Sequence, residues 1–200
     1  MSISLQKGQK VSLSKEGKAG LDRVVVGLGW DAAQKSRGRF GGLFPSASQN
    51  IDCDASALLL RNGKLAGNQD IVYFGNLQHG SGAVEHLGDN LTGVGAGDDE
   101  QIVIALNRVP AEYDRIVMVV NLYQAQQRKQ HFGMIRNAFI RIVDTRGNQE
   151  LCRFNLSDDY SGMTAMIFGE VYRHGAELKF NAVGQGTADP GLAELCKRFR

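Results

Sequence analysis

Between Lys64 and Arg108 the chain has no lysine or arginine, yet Asp98, Asp99 and Glu100 stand there side by side. Adjacent carboxylates repel one another. Any fold must therefore bring positive charge to them from elsewhere, and no basic side chain is near in sequence. The residues before them are Gly88-Asp89-Asn90-Leu91-Thr92-Gly93-Val94-Gly95-Ala96-Gly97, a glycine-rich loop that begins beside an acid. Glycine permits backbone conformations that turn carbonyl oxygens inward, here at Gly93 and Gly95, while Asp89, Asn90 and Thr92 add side-chain oxygens. Hard oxygen donors at that density suit Ca²⁺, which accepts carboxylates and carbonyls in flexible geometry. The loop is not an EF-hand. Asp89 and Glu100 sit at the ends of a loop of that length, but Leu91 and Gly93 occupy places where the motif needs Asp or Asn. A solvated acidic turn is the plain alternative.

The rest of the chain reads as short strands. Asp22 to Asp31 contains three consecutive valines, and Gly27 and Gly29 within it mark a bulge or a close backbone approach. In Ile51 to Leu60 the alternation Asp52, Asp54, Ser56 puts oxygen-bearing side chains on one strand face, the carboxylates about 7 Å apart. These two can share a cation or simply face solvent, and Asp31 at the end of the valine strand is a further acid of interest. Arg61-Asn62-Gly63-Lys64 is a turn signal. Further strands are expected at Asp70–Phe74, Gln101–Leu106, Arg115–Tyr123, Phe139–Val143, Leu151–Leu156, Thr164–Tyr172 and Leu178–Val183, with Arg115–Tyr123 central. Val11 and Leu13 alternate as in an edge strand, and Gln124–Gln130 reads as a polar crossover. Asp189-Pro190-Gly191 opens a helix, with Asp189 as N-cap and Leu192, Leu195, Cys196 and Phe199 as its apolar stripe. The expected fold class is all-β: a β-sandwich of two mainly antiparallel sheets with few short helices, one at the C-terminus. No linker or repeat divides the chain, so residues 1–200 are expected to form a single domain.

Composition narrows the partners. Hydrophobic residues make up 42% of the 200, enough for a real core. The formal net charge is +2 with dispersed basic residues, which favours neither nucleic acid nor membrane insertion. No apolar run approaches a membrane span, and Met1 to Lys7 lacks the apolar core of a signal peptide. Cys53, Cys152 and Cys196 are odd in number and far apart. They are expected to be reduced and buried, in a cytoplasmic protein. His79 and His86 stand in no zinc motif. Lys35, Arg37 and Arg39 lie in a Gly/Arg-rich segment that reads first as a solvated loop and second as a contact for an anionic ligand.

The ordered motifs Leu28-Gly29-Trp30-Asp31, Asp52-Cys53-Asp54-Ala55-Ser56-Ala57 and Gly88 to Glu100 resemble the TerD family of tellurium-resistance and stress proteins. Phe132-Gly133, Arg136-Asn137-Ala138, Phe168-Gly169-Glu170-Val171-Tyr172-Arg173-His174 and Ala182-Val183-Gly184-Gln185-Gly186 continue the likeness over nearly the whole chain. The resemblance implies a cytoplasmic β-sandwich that binds calcium, usually two ions, with no catalytic activity. It also implies protein partners from the same stress and tellurite-resistance system. Carried over by position, the ligands would be Asp89, Asn90, Asp98, Asp99 and Glu100, joined by Asp54, Asp52 and Asp31. Thr92, Gly93 and Gly95 would add hydroxyl or carbonyl oxygens. The chain departs from the family pattern at Leu91, Val94 and Ala96, where charged residues are common, and at Cys53. Loss of a carboxylate at Ala96 weakens the case for the second ion. Two alternatives remain at this stage: a hydrolase using carboxylate-bound ions, and a small-ligand module.

Overall fold

The computed structural model describes residues 2–13, 21–32, 51–88 and 97–200. Among them, twelve strands form two six-stranded sheets. The first sheet runs β1 (Ile3–Leu5), β10 (Gln149–Asn155), β9 (Ile135–Asp144), β3 (Arg23–Ala32), β7 (Glu100–Ala105), β6 (Val84–His86). The second runs β2 (Lys10–Ser12), β12 (Glu177–Thr187), β11 (Ala165–His174), β8 (Arg115–Leu122), β4 (Cys53–Leu60), β5 (Ile71–Val72). Neighbours are antiparallel except β1 and β10. This is the expected sandwich, and β8 is central as its apolar sequence requires.

Period-two alternation decides which side chains meet. Val24, Val26 and Leu28 of β3 and Ile102 and Ile104 of β7 join Cys53, Ala55, Ala57 and Leu59 of β4 and Met118 and Val120 of β8 in the inter-sheet core. The opposite faces of β4 and β8 are also covered. Leu58, Leu60, Val117 and Val119 form a second apolar cluster with Leu195 and Cys196 of the C-terminal helix, α2 (Leu192–Cys196). Every residue of β4 is consequently buried. Leu195 is fully buried there, so Leu195→Ala is expected to cost about 2–4 kcal/mol in urea unfolding.

Local expectations hold or shift for identifiable reasons. Asn62 and Gly63 take φ of 52° and 73°, and Arg61 and Lys64 exchange backbone hydrogen bonds of 2.8 and 3.0 Å, as an Asn-Gly turn demands. The strand expected at 70–74 is only β5, because Asn68–Asp70 forms a 3₁₀ turn and Tyr73 bridges to Asn76. Within the crossover, Gln124 and Lys129 both have φ of 52° and enclose one helical turn, α1 (Ala125–Arg128). Asp189 is not the N-cap of α2. Gly191 holds that place without a side-chain bond, and the Asp189 carboxylate instead takes the Arg198 guanidinium. Proline and glycine carry the chain two residues past Asp189 before the helix starts.

Candidate functional site

Asp98 lies against the outer face of the first sheet, over Gly27. A Cβ at Gly27 would overlap the Asp98 carboxylate, so this glycine is the close approach that the strand pattern foreshadowed. Gly27 pairs in register with Arg141 of β9. The Arg141 guanidinium donates to both Asp98 oxygens, at 2.7 and 3.0 Å, and Gln101 Nε2 adds a bond of 2.9 Å. Only 1% of the Asp98 side chain is exposed. The bond to Asp98 holds Arg141 above its usual pKa. Arg141 continues to Glu150 at 3.4 Å, and Glu150 to Arg153 at 3.7 Å. The countercharge of Asp98 is thus a side chain from 43 residues away, delivered by sheet pairing.

Glu100 points the other way, across the sandwich. Its Oε2 accepts the backbone N–H of Ala55 in β4 at 2.7 Å and stands 3.3 Å from His86 Nε2. His86 Nδ1 accepts the Gly88 N–H at 3.1 Å, which places the ring hydrogen on Nε2. That Nε2–H lies between Glu100 and the Ala55 carbonyl, 3.2 Å away. Both side chains are 1% exposed. Glu100 and His86 therefore clip the edge of the first sheet to β4.

Asp99 and Asp31 are the pair that remains. The Asp99 N–H donates to Leu28 O and its Oδ2 accepts the Trp30 N–H, both at 2.7 Å. Burial pushes the Asp99 carboxyl above its usual range, against the Trp30 hydrogen bond, and the negative charges of Asp31 and Asp98 add to the rise. Asp31 follows a bulge between β3 and β9, is exposed, and accepts from Asn137 Nδ2 at 2.7 Å.

Asp54 faces outward from the second sheet, where its Oδ2 accepts from Asn121 Nδ2 at 3.1 Å. Asp52 stands 3.7 Å from the Arg128 guanidinium, which packs over the Tyr123 ring. Between them Cys53 turns inward. Burial raises its thiol pKa well above the ordinary value, followed by the charges of Glu100, Asp54, Asp52 and Asp99. Acids of both sheets thus share one end of the sandwich. Among the described residues no three His, Cys, Asp or Glu are placed to hold one ion. Asp89, Asn90, Thr92, Gly93 and Gly95, together with Arg37 and Arg39, lie outside the described residues.

Sequence reading missed Arg141 and the clip made by His86. The signal for Arg141 was a lone basic residue inside Phe139-Ile140-Arg141-Ile142-Val143, on the face opposite its apolar neighbours. It also missed Asp70, fully buried, which accepts from Tyr113 OH at 2.7 Å with His79 Nε2 at 3.4 Å and Arg61 at 3.8 Å. The cysteines are free and buried. Burial lifts Cys152 to about 12 and Cys196 to about 11, which leaves little thiolate for redox or tellurium chemistry. Among the described residues no helix is long and apolar enough to cross a membrane.

Comparison with known proteins covers the whole chain. Residues 1–199 match the TerD domain family. The chain is 52% identical over 199 residues to the stress response protein SCP2 of Bacillus subtilis, covering 100% of both. It is 47% identical over 200 residues to the tellurium resistance protein TerD of Serratia marcescens, covering 100% of this chain and 97% of that one. Two solved structures share the fold. One is a protein of unknown function, SAV2460, with TM-score 0.65 and 24% identity over 89% of this chain and 96% of that chain. The other is a homologue of the telluride resistance protein TerD from Streptomyces coelicolor, with TM-score 0.60 and 22% identity over 84% of this chain and 91% of that chain.

Proposed function

We propose, from the premise that this chain belongs to the TerD family of tellurium-resistance and stress-response proteins, that it acts as a calcium-binding, non-enzymatic member. One observation carries this reading. Asp99 is held partly buried beside Asp31 with its carboxyl pKa raised, and it follows residues 89–96 closely in sequence. Such a carboxylate pair is costly alone and suited to a hard divalent cation. Asp31 and Asp99 would hold the ion together with Asp89, Asn90 and Thr92 and the Gly93 and Gly95 carbonyls. Ca²⁺ would supply positive charge to this carboxylate pair. Asp98 and Glu100, engaged by Arg141 and by the Ala55 N–H and His86, would position the loop rather than ligate. A second ion would have to draw on Asp52 and Asp54. The loop so ordered would present a surface to partner proteins of the resistance system, in the cytoplasm.

The test is thermal unfolding against free Ca²⁺, read in wild type and Asp99→Asn. At about one hundred times Kd, wild type is expected to gain about 2.7 kcal/mol, and the variant little. The pH sign is also fixed. A carboxyl with a folded pKa above its unfolded value binds its proton more tightly in the fold. Without Ca²⁺, that stability is present below the unfolded pKa and is lost as pH rises through the window up to the folded pKa. In EGTA at neutral pH, Asp99→Asn should therefore melt higher than wild type, since the amide still accepts from Trp30 N–H. Equal melting of wild type with and without Ca²⁺ would refute the proposal.

A further inference from the structure

The outer face of the second sheet carries a cavity of about 400 Å³, beside the start of α2. Its floor is polar. Asp54 and Ser56 of β4 and Asn121 of β8 line it, and Asp54 and Asn121 are direct cross-strand partners. The Asn121 amide nitrogen donates to Asp54, which fixes the amide and turns its Oδ1 away from the carboxylate. Asn121 Oδ1 and Ser56 Oγ are both buried and make no hydrogen bond among the described residues. Ser56 is 0% exposed and Asn121 6%. Buried polar atoms of this kind are rare in folded proteins and call for an explanation. The walls carry the rings of Tyr73, Phe74 and Tyr123, with Gln124, Gln126 and Gln127 beside them. Phe74 and Tyr123 stay 50% and 41% exposed, although large and partly apolar.

The chemistry of this lining selects among ligands. Among the described residues no lysine, arginine or histidine lines the cavity, and Asp54 supplies its one carboxylate. The floor thus offers a carboxylate, an amide oxygen and a hydroxyl, an acceptor-rich set. A primary ammonium brings three N–H donors to such a set. Aromatic faces attract a cation and also cover the carbon skeleton attached to it. A bare metal ion would leave most of the volume and all of the aromatic wall without a role, and an anion would face Asp54.

We propose that this cavity binds a small organic primary amine in its ammonium form. The ammonium sits on Asp54, Asn121 and Ser56, and the carbon skeleton lies against Tyr73, Phe74 and Tyr123. The site is separate from Asp31 and Asp99 and does not need Ca²⁺.

Phenethylamine is the probe, titrated into the full chain in EGTA by calorimetry and by amide NMR. Saturable binding with Kd below about 1 mM is expected, with shifts centred on residues 54–56, 73–74 and 121–123. Ser56→Ala, which removes a hydroxyl with no hydrogen-bond partner among the described residues, and Phe74→Ala, on an exposed ring, should each weaken binding by about threefold to tenfold. Asp54→Asn should weaken it by more than about tenfold, and Asp99→Asn should leave it unchanged. Loss of the Ca²⁺ response together with retained amine binding separates the failure of the calcium reading from this one. The proposal is overturned by absence of saturable binding, by equal binding of the alcohol 2-phenylethanol, or by wild-type affinity in both Ser56→Ala and Phe74→Ala.

Discussion

Arg141→Ala is expected to destabilise the protein by about 3 kcal/mol or more, measured by urea unfolding. The reason is asymmetric burial. Asp98 is 1% exposed while Arg141 is 28% exposed, so the substitution strands a carboxylate rather than a guanidinium. Asp98 keeps Gln101 Nε2, which offsets a fraction of the loss. The double variant Arg141→Met with Asp98→Asn should recover most of it, with a coupling of about 2 kcal/mol. Isolated surface pairs make the contrast: Lys7–Asp158, both half exposed, should cost under about 1 kcal/mol when broken. A loss below about 1 kcal/mol for Arg141→Ala would mean that Asp98 has another source of positive charge. Ca²⁺ titration of the variant would then identify it.

Glu100→Ala is expected to cost about 3 kcal/mol, while Glu100→Gln costs about 1 kcal/mol. The carboxylate joins the two sheets through the Ala55 N–H and His86; alanine strands the buried Ala55 N–H and leaves His86 only the Ala55 carbonyl. Glutamine keeps an acceptor for Ala55 and loses the charge. Hydrogen exchange at the Ala55 amide is the specific readout, since it should speed up sharply in the alanine variant and modestly in the glutamine variant. The pair also separates two roles. If Glu100→Gln folds well and keeps its Ca²⁺ response, Glu100 is a structural clip. If it folds well and loses that response, Glu100 is a ligand.

The fold was legible because its signals are local. Val24-Val25-Val26, Leu58-Leu59-Leu60 and Ile116 to Val120 are strands at any placement, and Asn62-Gly63 is a turn by its own backbone preferences. Gly27 announced a close approach, although not what approaches. The capping of α2 was misread because Asp189 has two partners in reach and Arg198, nine residues on, wins it. The acidic run was legible as a place that needs positive charge. Its division into three different environments was not, because each neighbour comes from another part of the chain.

By itself, then, the order of residues determined which segments are strands, which faces are apolar, and that Asp98, Asp99 and Glu100 require compensation. Periodicity and turn chemistry act over a few residues, so they survive without a fold. Tertiary structure alone decided what each acid meets. Sheet pairing carries Arg141 to Asp98, the packing of one sheet on the other brings Ala55 and His86 to Glu100, and Asp99 is left beside Asp31. Electrostatic partners are chosen by distance in space, and in a sandwich of crossing strands that distance bears no relation to separation along the chain.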